Sequence, residues 1–359
     1  MKKSSFNLIL FLNRCHLIGK IMIKDKIFPF LRTLIAFWQI RSNVRHVYGP
    51  KLVNLGKTDV IVLCLVRNGE TYIEAFIKHH FSLGAKHIVF LDNDSTDQTI
   101  EIARQYQNIT ILKTTLSFKA LRHSTKIYLT RRYAKNSWSL YVDIDEFFDY
   151  PYADKINLTE LIGYLNLHQY TAVKCQMLDM VPRKWARDSK VSFHRKDYPF
   201  YELDNISQKT PLTIGSIVSN EKIKYHNGGI RKTIFGLDKI SLTKYSLIFF
   251  GKGARRSKVS NHKVQNARIA DFSAVLFHYK FTGNFFECVK DAVRTENYHN
   301  NSFEYKAYYK YIIDKTILDF SDAQLQQLGD TNELIAKQFL VISQEYESFS
   351  KRCKLRDKL

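Results

Sequence analysis

VIVLCLVRNGETYIEAFIKHHFSLGAKHIVFLDNDSTDQT, residues 60–99, sets the reading of this chain. Val60 to Val66 is a continuous, mostly β-branched apolar run, the pattern of a strand buried on both faces. Arg67, Asn68 and Gly69 break it. Residues 70–83 then carry Ile73, Phe76, Ile77 and His80 at helical spacing, and Gly84 is a helix stop. His87 to Leu91 repeats the strand pattern. DNDSTDQT (92–99) opens the next helix, with Ser95 or Thr96 as cap and Asp97 in its first turn. Downstream the alternation continues, with a strand at 109–112, a helix over 118–134 and a strand at 138–142. Strands alternating with helices of this length predict an α/β fold, a mostly parallel sheet covered by helices on both faces.

The flanks read differently. Residues 1–57 form a basic, partly apolar leader. Lys2 and Lys3 precede an apolar run that ends near Leu12 without a small-x-small cleavage pattern, so the segment reads as uncleaved. IFPFLRTLIAFWQI (27–40) suits either a membrane interface or a helix packed on the domain's own surface. No apolar run reaches the length of a membrane-spanning helix. Past Pro151 the regularity weakens. Residues 158–165 predict a helix, and residues 172–177 and 274–279 predict strands. The stretch 182–230 is loop-rich and holds an NGG turn at 227–229, and from about Phe285 the chain reads as helical to its end.

Of 359 residues, 45% are hydrophobic, enough for a sizeable core and against global disorder. A net charge of +21 favours an anionic partner, whether phosphorylated substrate, anionic membrane surface or nucleic acid. Five scattered cysteines without a CxxC argue against a disulfide framework or zinc site and fit a reducing compartment. No helix-turn-helix, zinc or RNP-type pattern is present, so no nucleic-acid partner is expected.

Ligands of open α/β sheets gather at the carboxyl ends of the strands. Three polar clusters fall at such ends here, Arg67-Asn68-Gly69-Glu70, the run from Asp92 to Asp97, and Asp143-Ile144-Asp145. In extended chain, residues i and i+2 point the same way, so Asp143 and Asp145 are expected to aim both carboxylates at one point. Two such carboxylates repel each other, and a Mg²⁺ or Mn²⁺ ion removes the conflict while also taking substrate phosphates. The bland alternative is a pair of solvated acids with an Arg partner.

These motifs, together with GGIRKTIFG (228–236), SNHKV (260–264) and AVLFHYKF (274–281), resemble the GT-A fold glycosyltransferases, most nearly the family 2-like group with an RNE-type first motif. The resemblance covers residues 58–150 well and leaves out the first 50. It implies a Rossmann-like GT-A domain over 58–283, with a nucleotide-sugar half at 58–150, an acceptor half at 151–283, and a helical C-terminal extension at 284–359. It also implies a nucleotide-sugar donor (a UDP-sugar ahead of the others) and a divalent metal, Mn²⁺ or Mg²⁺. Val66, Arg67, Asn68 and Glu70 would lie against the nucleotide. Asp92, Asn93 or Asp94 would hold base or ribose, since DNDS replaces the more usual DDGS. Asp145 would bind the metal, Asp143 the ribose or metal, His278 would complete the metal site, and Arg231 would meet the diphosphate.

An inverting transfer also needs a base for the acceptor hydroxyl. His262, Asp179 and Asp238 are the candidates, His262 because a neutral imidazole takes a proton near pH 7. The resemblance points to a glycan or lipid-linked acceptor in bacterial surface polysaccharide or lipopolysaccharide synthesis, at the cytoplasmic face of the plasma membrane. The basic loop KGARRSK (252–258) is either solvated or set against lipid phosphates.

A haloacid-dehalogenase-type phosphotransferase would carry Thr where Phe147 stands. A degenerate GT-A fold could serve only to bind nucleic acid or an anionic glycan. His79-His80 reads as structural. Trp185 reads as either core or sugar platform, and EYKAYYKYI (304–312) as a helix packing face.

Overall fold

A computed structural model describes residues 40–116, 124–187, 193–210, 215–251, 255–256, 262–296 and 299–356. The expectations for residues 1–39, most of the basic loop 252–258 and the start of the helix expected over 118–134 lie outside the described residues.

Eleven strands form one mixed sheet among the described residues. They are β1 (Arg45–Tyr48), β2 (Val60–Val66), β3 (His87–Asp92), β4 (Ile109–Lys113), β5 (Ser137–Tyr141), β6 (Glu146–Asp149), β7 (Ala172–Asp179), β8 (Ile217–Val218), β9 (Thr243–Lys244), β10 (Leu247–Phe250) and β11 (Arg268–His278). Their order is β1-β4-β3-β2-β5-β10-β7-β11-β8, with β9 beside β7 and β6 beside β11. The ladders joining β5, β2, β3 and β4 are parallel, as are β7–β11 and β8–β11. β10 runs antiparallel to both β5 and β7 and so joins the two parallel halves. The sheet is therefore continuous across the expected boundary at residue 150.

β2 shows why the run at its start reads as doubly buried. Val60, Val62, Cys64 and Val66 face one core, and Ile61, Leu63 and Leu65 face the other. The first core lies under α1 (Glu70–Ser82) and α4 (Leu158–Leu167); α2 (Thr99–Ala103) precedes β4. α4 starts at a reciprocal capping box, with Asn157 and Glu160 bonding each other's backbone amides at 3.0 and 2.9 Å. The second core lies under α3 (Ser124–Tyr133) through Tyr128, Leu129 and Tyr133.

Two parts of the chain differ from expectation. Residues 45–48 of the presumed leader are edge strand β1, paired antiparallel with β4. The C-terminal stretch is not continuously helical. α6 (Phe285–Thr295) and α7 (His299–Ile312) pack on α5 (Ile230–Phe235) in a third core. A short strand, Ile317–Asp319, then pairs with Lys184–Ala186, and Gln326–Gln327 pairs with Phe200–Tyr201. α8 (Glu333–Ala336) and α9 (Gln344–Arg356) return to the main sheet, where Tyr346 stacks on Phe272 at 4.1 Å between ring centroids. Periodicity missed these strands because two or three residues carry no readable alternation. Trp185 belongs to the third core, its indole N–H donating to the Thr282 carbonyl at 2.6 Å.

Four imidazoles, those of His80, His87, His226 and His262, are held by burial near pKa 4 and stay neutral in the fold. The unfolded chain takes up their protons at about pH 6.5. It therefore binds more protons than the folded state between those values, and stability falls as pH drops from about 6.5 toward 4. Melting temperature should decline steadily over that window, and a His80→Leu variant should decline less steeply; an unchanged melting temperature between pH 7 and 4.5 would refute this.

Candidate active site

Sheet register builds the centre of the site. β6 pairs antiparallel with β11 so that Glu146 lies opposite His278, and β7 pairs parallel with β11 so that Asp179 lies beside His278. Asp145, one residue before β6, is thereby carried to the end of β11, where its carbonyl accepts from the Tyr279 amide at 2.9 Å. His278 sits between two carboxylates, with Nδ1 2.5 Å from Asp179 and Nε2 3.2 Å from Asp145. Arg231, in the first turn of α5, donates from Nε and Nη2 to the two oxygens of Asp179, both at 2.8 Å, and from Nη1 to Glu304 of α7 at 3.1 Å. The helix carrying Arg231 can begin there because Gly228 and Gly229 adopt positive φ, 93° and 61°. A Cβ on Gly228 would lie 2.7 Å from the Asn205 carbonyl.

Asp143 does not share this arrangement. Residues 143–146 form a turn closed by the Glu146 amide on the Asp143 carbonyl at 3.0 Å, instead of the extended chain expected. The two carboxylates consequently have separate partners. Asp143 is paired with the Lys244 ammonium at 3.0 Å, and the same ammonium contacts buried Glu146. Asp145 keeps 24% of its side chain exposed and Asp143 46%, so both remain in reach of solvent.

The charges follow from these contacts. Burial alone would raise the Asp145 carboxyl, but His278, Lys280 and Lys244 outweigh it and hold the group below the ordinary range. Burial likewise opposes ionisation of Asp179, and Arg231 and His278 overcome it. His278 is raised, its burial more than offset by Asp145 and Asp179. Burial pushes Glu146 up, while Lys244 and Lys126 overcome burial at Asp143 and draw it down.

The first two loops meet this turn from the side. Asn68 donates its amide to Ser95 Oγ at 2.9 Å, and its side-chain oxygen accepts from the Thr96 amide at 2.9 Å. Glu70 accepts from the Gln98 amide at 3.1 Å, and Val66 is buried beneath. A Cβ on Gly69 would lie 2.6 Å from Val66 and 3.1 Å from Ile144, so Gly69 lets the Asp143–Asp145 turn close onto the first loop. Asp92 is wholly buried and accepts from the Ser95 amide at 3.1 Å, shaping the loop. Asn93 donates to the Leu116 carbonyl at 2.7 Å, while its buried Oδ1 has no hydrogen-bond partner among the described residues. Asp94 pairs with Lys113 at 2.9 Å, and Arg67 is exposed at the rim.

The three base candidates separate clearly. Asp179 is locked to Arg231 and His278. Asp238 lies exposed in the turn after α5. His262 holds its Nδ1 2.6 Å from the Thr243 carbonyl, next to Lys244, in electrostatic range of Asp143. Arg231, expected at a diphosphate, is instead enclosed by Asp179 and Glu304. Lys126, Lys244, Lys280, Glu146 and Glu304 are site residues that pattern reading missed. Glu146 and Lys280 were within reach, since Glu146 directly follows Asp145 and Lys280 lies inside the quoted AVLFHYKF. Lys244 sits in a two-residue strand without signal. Among the described residues, no group of three or more His, Cys, Asp or Glu side chains is arranged to hold a metal ion.

No known protein family and no curated protein matches the chain. Solved structures with partial similarity include TarS of S. aureus (residues 1–349), at 15% identity and TM-score 0.28 over 43% of this chain and 42% of that one. The mannosyltransferase PcManGT of Pyrobaculum calidifontis, in complex with GDP-Man and Mn²⁺, shows 18% identity and TM-score 0.25 over 41% and 43%. HddC of Yersinia pseudotuberculosis shows 9% identity and TM-score 0.24 over 54% and 74%. The match thus spans less than half the length of the first two chains.

Arg231→Ala should destabilise the protein by about 3–5 kcal/mol in urea unfolding, because it leaves Asp179 buried without its cation. Joint replacement with Asp179→Leu should recover part of that loss, which a merely spatial role for Arg231 would not produce.

Proposed function

We propose that the chain is a metal-dependent glycosyltransferase, moving a sugar from a nucleotide-sugar donor to a hydroxyl of a glycan or lipid-linked acceptor with inversion. One observation carries this. Three polar loops from the ends of parallel strands β2, β3 and β5 meet, and the last of them carries Asp145 into the Asp145–His278–Asp179–Arg231 chain. That is where an open α/β sheet takes a nucleotide.

Asp145 supplies an oxygen ligand suited to a hard divalent cation, Mn²⁺ or Mg²⁺, and His278 could join it on giving up its Nε2 proton. Asp145 Oδ2 and His278 Nε2 stand 3.2 Å apart. Two adjacent ligands of an octahedral ion at about 2.1 Å are separated by about 3 Å. Asp179 orients the imidazole from its other nitrogen, as carboxylates do for metal-bound histidines. Asp145 and His278 would hold the ion, with water and donor phosphates in the remaining places; Asp143 belongs to Lys244 as arranged. When bound, the ion would neutralise charge developing on the leaving diphosphate.

The chain's own residues account for the other steps. The loops at 66–70 and 92–94 offer the nucleotide a rim of fixed backbone. His262 is the base. An imidazole that donates Nδ1–H to the Thr243 carbonyl carries its lone pair on Nε2, and a pKa near 4 keeps it neutral at physiological pH. The acceptor hydroxyl's proton would go to that nitrogen as its oxygen attacks the sugar.

No helix among the described residues is long and apolar enough to cross a membrane. Peripheral attachment to the cytoplasmic membrane face, a UDP-sugar as donor and surface polysaccharide or lipopolysaccharide as destination complete the proposal.

Titration with UDP-, GDP-, CMP- and dTDP-sugars, with and without Mn²⁺, should reveal one donor whose binding needs the metal and disappears in Asp145→Ala. Donor binding unchanged in that variant would remove the metal assignment and keep the transferase. Absence of any donor binding in folded protein would remove both. With the donor known, His262→Gln should lower kcat by about 10²–10⁴ with little change in donor KM.

A further inference from the structure

Four cations lie along the Asp145–His278–Asp179 chain, and they are held very differently. Arg231 spends its donors on Asp179 and Glu304, with only 4% of its side chain exposed. Lys244 is clasped by Asp143 and Glu146. His278 lies between Asp145 and Asp179. Lys280 is held loosely. Among the described residues its ion contact, with Glu304, is at 3.9 Å, and its hydrogen bond goes to the neutral Tyr305 hydroxyl at 3.3 Å. Its ammonium stands 4.6 Å from the Tyr305 ring centroid and 5.6 Å from that of Tyr308.

An aromatic face and a hydroxyl position an ammonium without neutralising it. Moving Lys280 toward an incoming anion therefore gives up one neutral hydrogen bond and a long ion contact. Moving Arg231 would strand Asp179 in the interior. Lys280 also follows His278 by two residues, and its charge acts on the Asp145 carboxylate together with that of His278.

We infer that Lys280 is the cation that meets the negatively charged leaving group beside Asp145, and that Tyr305 of α7 sets its reach. The inference rests on the transferase reading. In that reaction the bond from the sugar's anomeric carbon to the diphosphate oxygen breaks, and the oxygen keeps the electron pair. The bond from the acceptor oxygen to that carbon forms, and the acceptor's proton passes to the base. The diphosphate thus gains a negative charge where Lys280 stands. Lys280 contacts the leaving group directly, whereas Tyr305 is a positioning residue.

The test is calorimetric titration of the full chain with UDP, GDP, CDP, ADP and dTDP and with the matching nucleosides, in Mn²⁺ and without it. For the diphosphate that binds, Lys280→Met should weaken affinity about tenfold or more and leave nucleoside affinity unchanged. Lys280→Arg should stay within about threefold of the parent, and Tyr305→Phe should fall between. Parental diphosphate affinity in Lys280→Met overturns the inference while leaving the transferase standing. Equal loss for nucleoside and diphosphate also overturns it, since the site would then have lost shape instead of charge. No diphosphate binding by the parent overturns the transferase reading and this inference with it.

Discussion

A buried charge needs a partner, and one chain of paired charges ties this molecule together. Asp145, His278, Asp179, Arg231 and Glu304 follow one another at 3.2, 2.5, 2.8 and 3.1 Å. They come from the turn before β6, from β11, from β7, from α5 and from α7. Asp179 and Arg231 sit where water cannot screen them, so loss of either leaves the other with an uncompensated charge costing several kcal/mol. The chain therefore fixes elements far apart in sequence at one point, and it does so at the mouth of the sheet.

Function and stability are consequently drawn from the same groups. Asp179 orients His278 and balances Arg231, which makes it a poor proton acceptor and a good support. Glu304 closes the far end and lies beside Lys280. The site thus contains cations of two kinds. Arg231 and Lys244 are spent on holding acids in place, while Lys280 rests against tyrosines. A site prepared for a charged substrate needs both, since preorganised dipoles and charges act only if something else holds them still.

The C-terminal third is part of this construction. α7 supplies Glu304 and Tyr305, and Tyr308 packs against Phe235 of the helix that carries Arg231. α9 returns to the main sheet through Tyr346, whose hydroxyl donates to the Pro151 carbonyl at 2.8 Å. An extension built into two cores in this way cannot be removed without exposing both.

The sequence by itself determined the parallel half of the sheet. Val60–Val66 and His87–Asp92 are apolar without interruption, so they had to be buried on both faces, and the polar breaks after them had to face one edge. It also singled out Asp145, His278, Asp179 and Arg231 as residues of interest, through motif and resemblance. Tertiary structure alone decided what those residues do to one another. The turn at 143–146 sends Asp143 to Lys244 and Asp145 to His278, a division that an i, i+2 argument cannot foresee because it assumes extended chain. Lys244 reaches the site from a two-residue strand that leaves no periodic mark, and Glu304 from the packed face of α7 that also carries Tyr308, where an acid breaks the apolar pattern. Local pattern is set by which face of an element meets the core, whereas ion pairing is set by register and packing between elements distant in sequence, and only the folded chain fixes those.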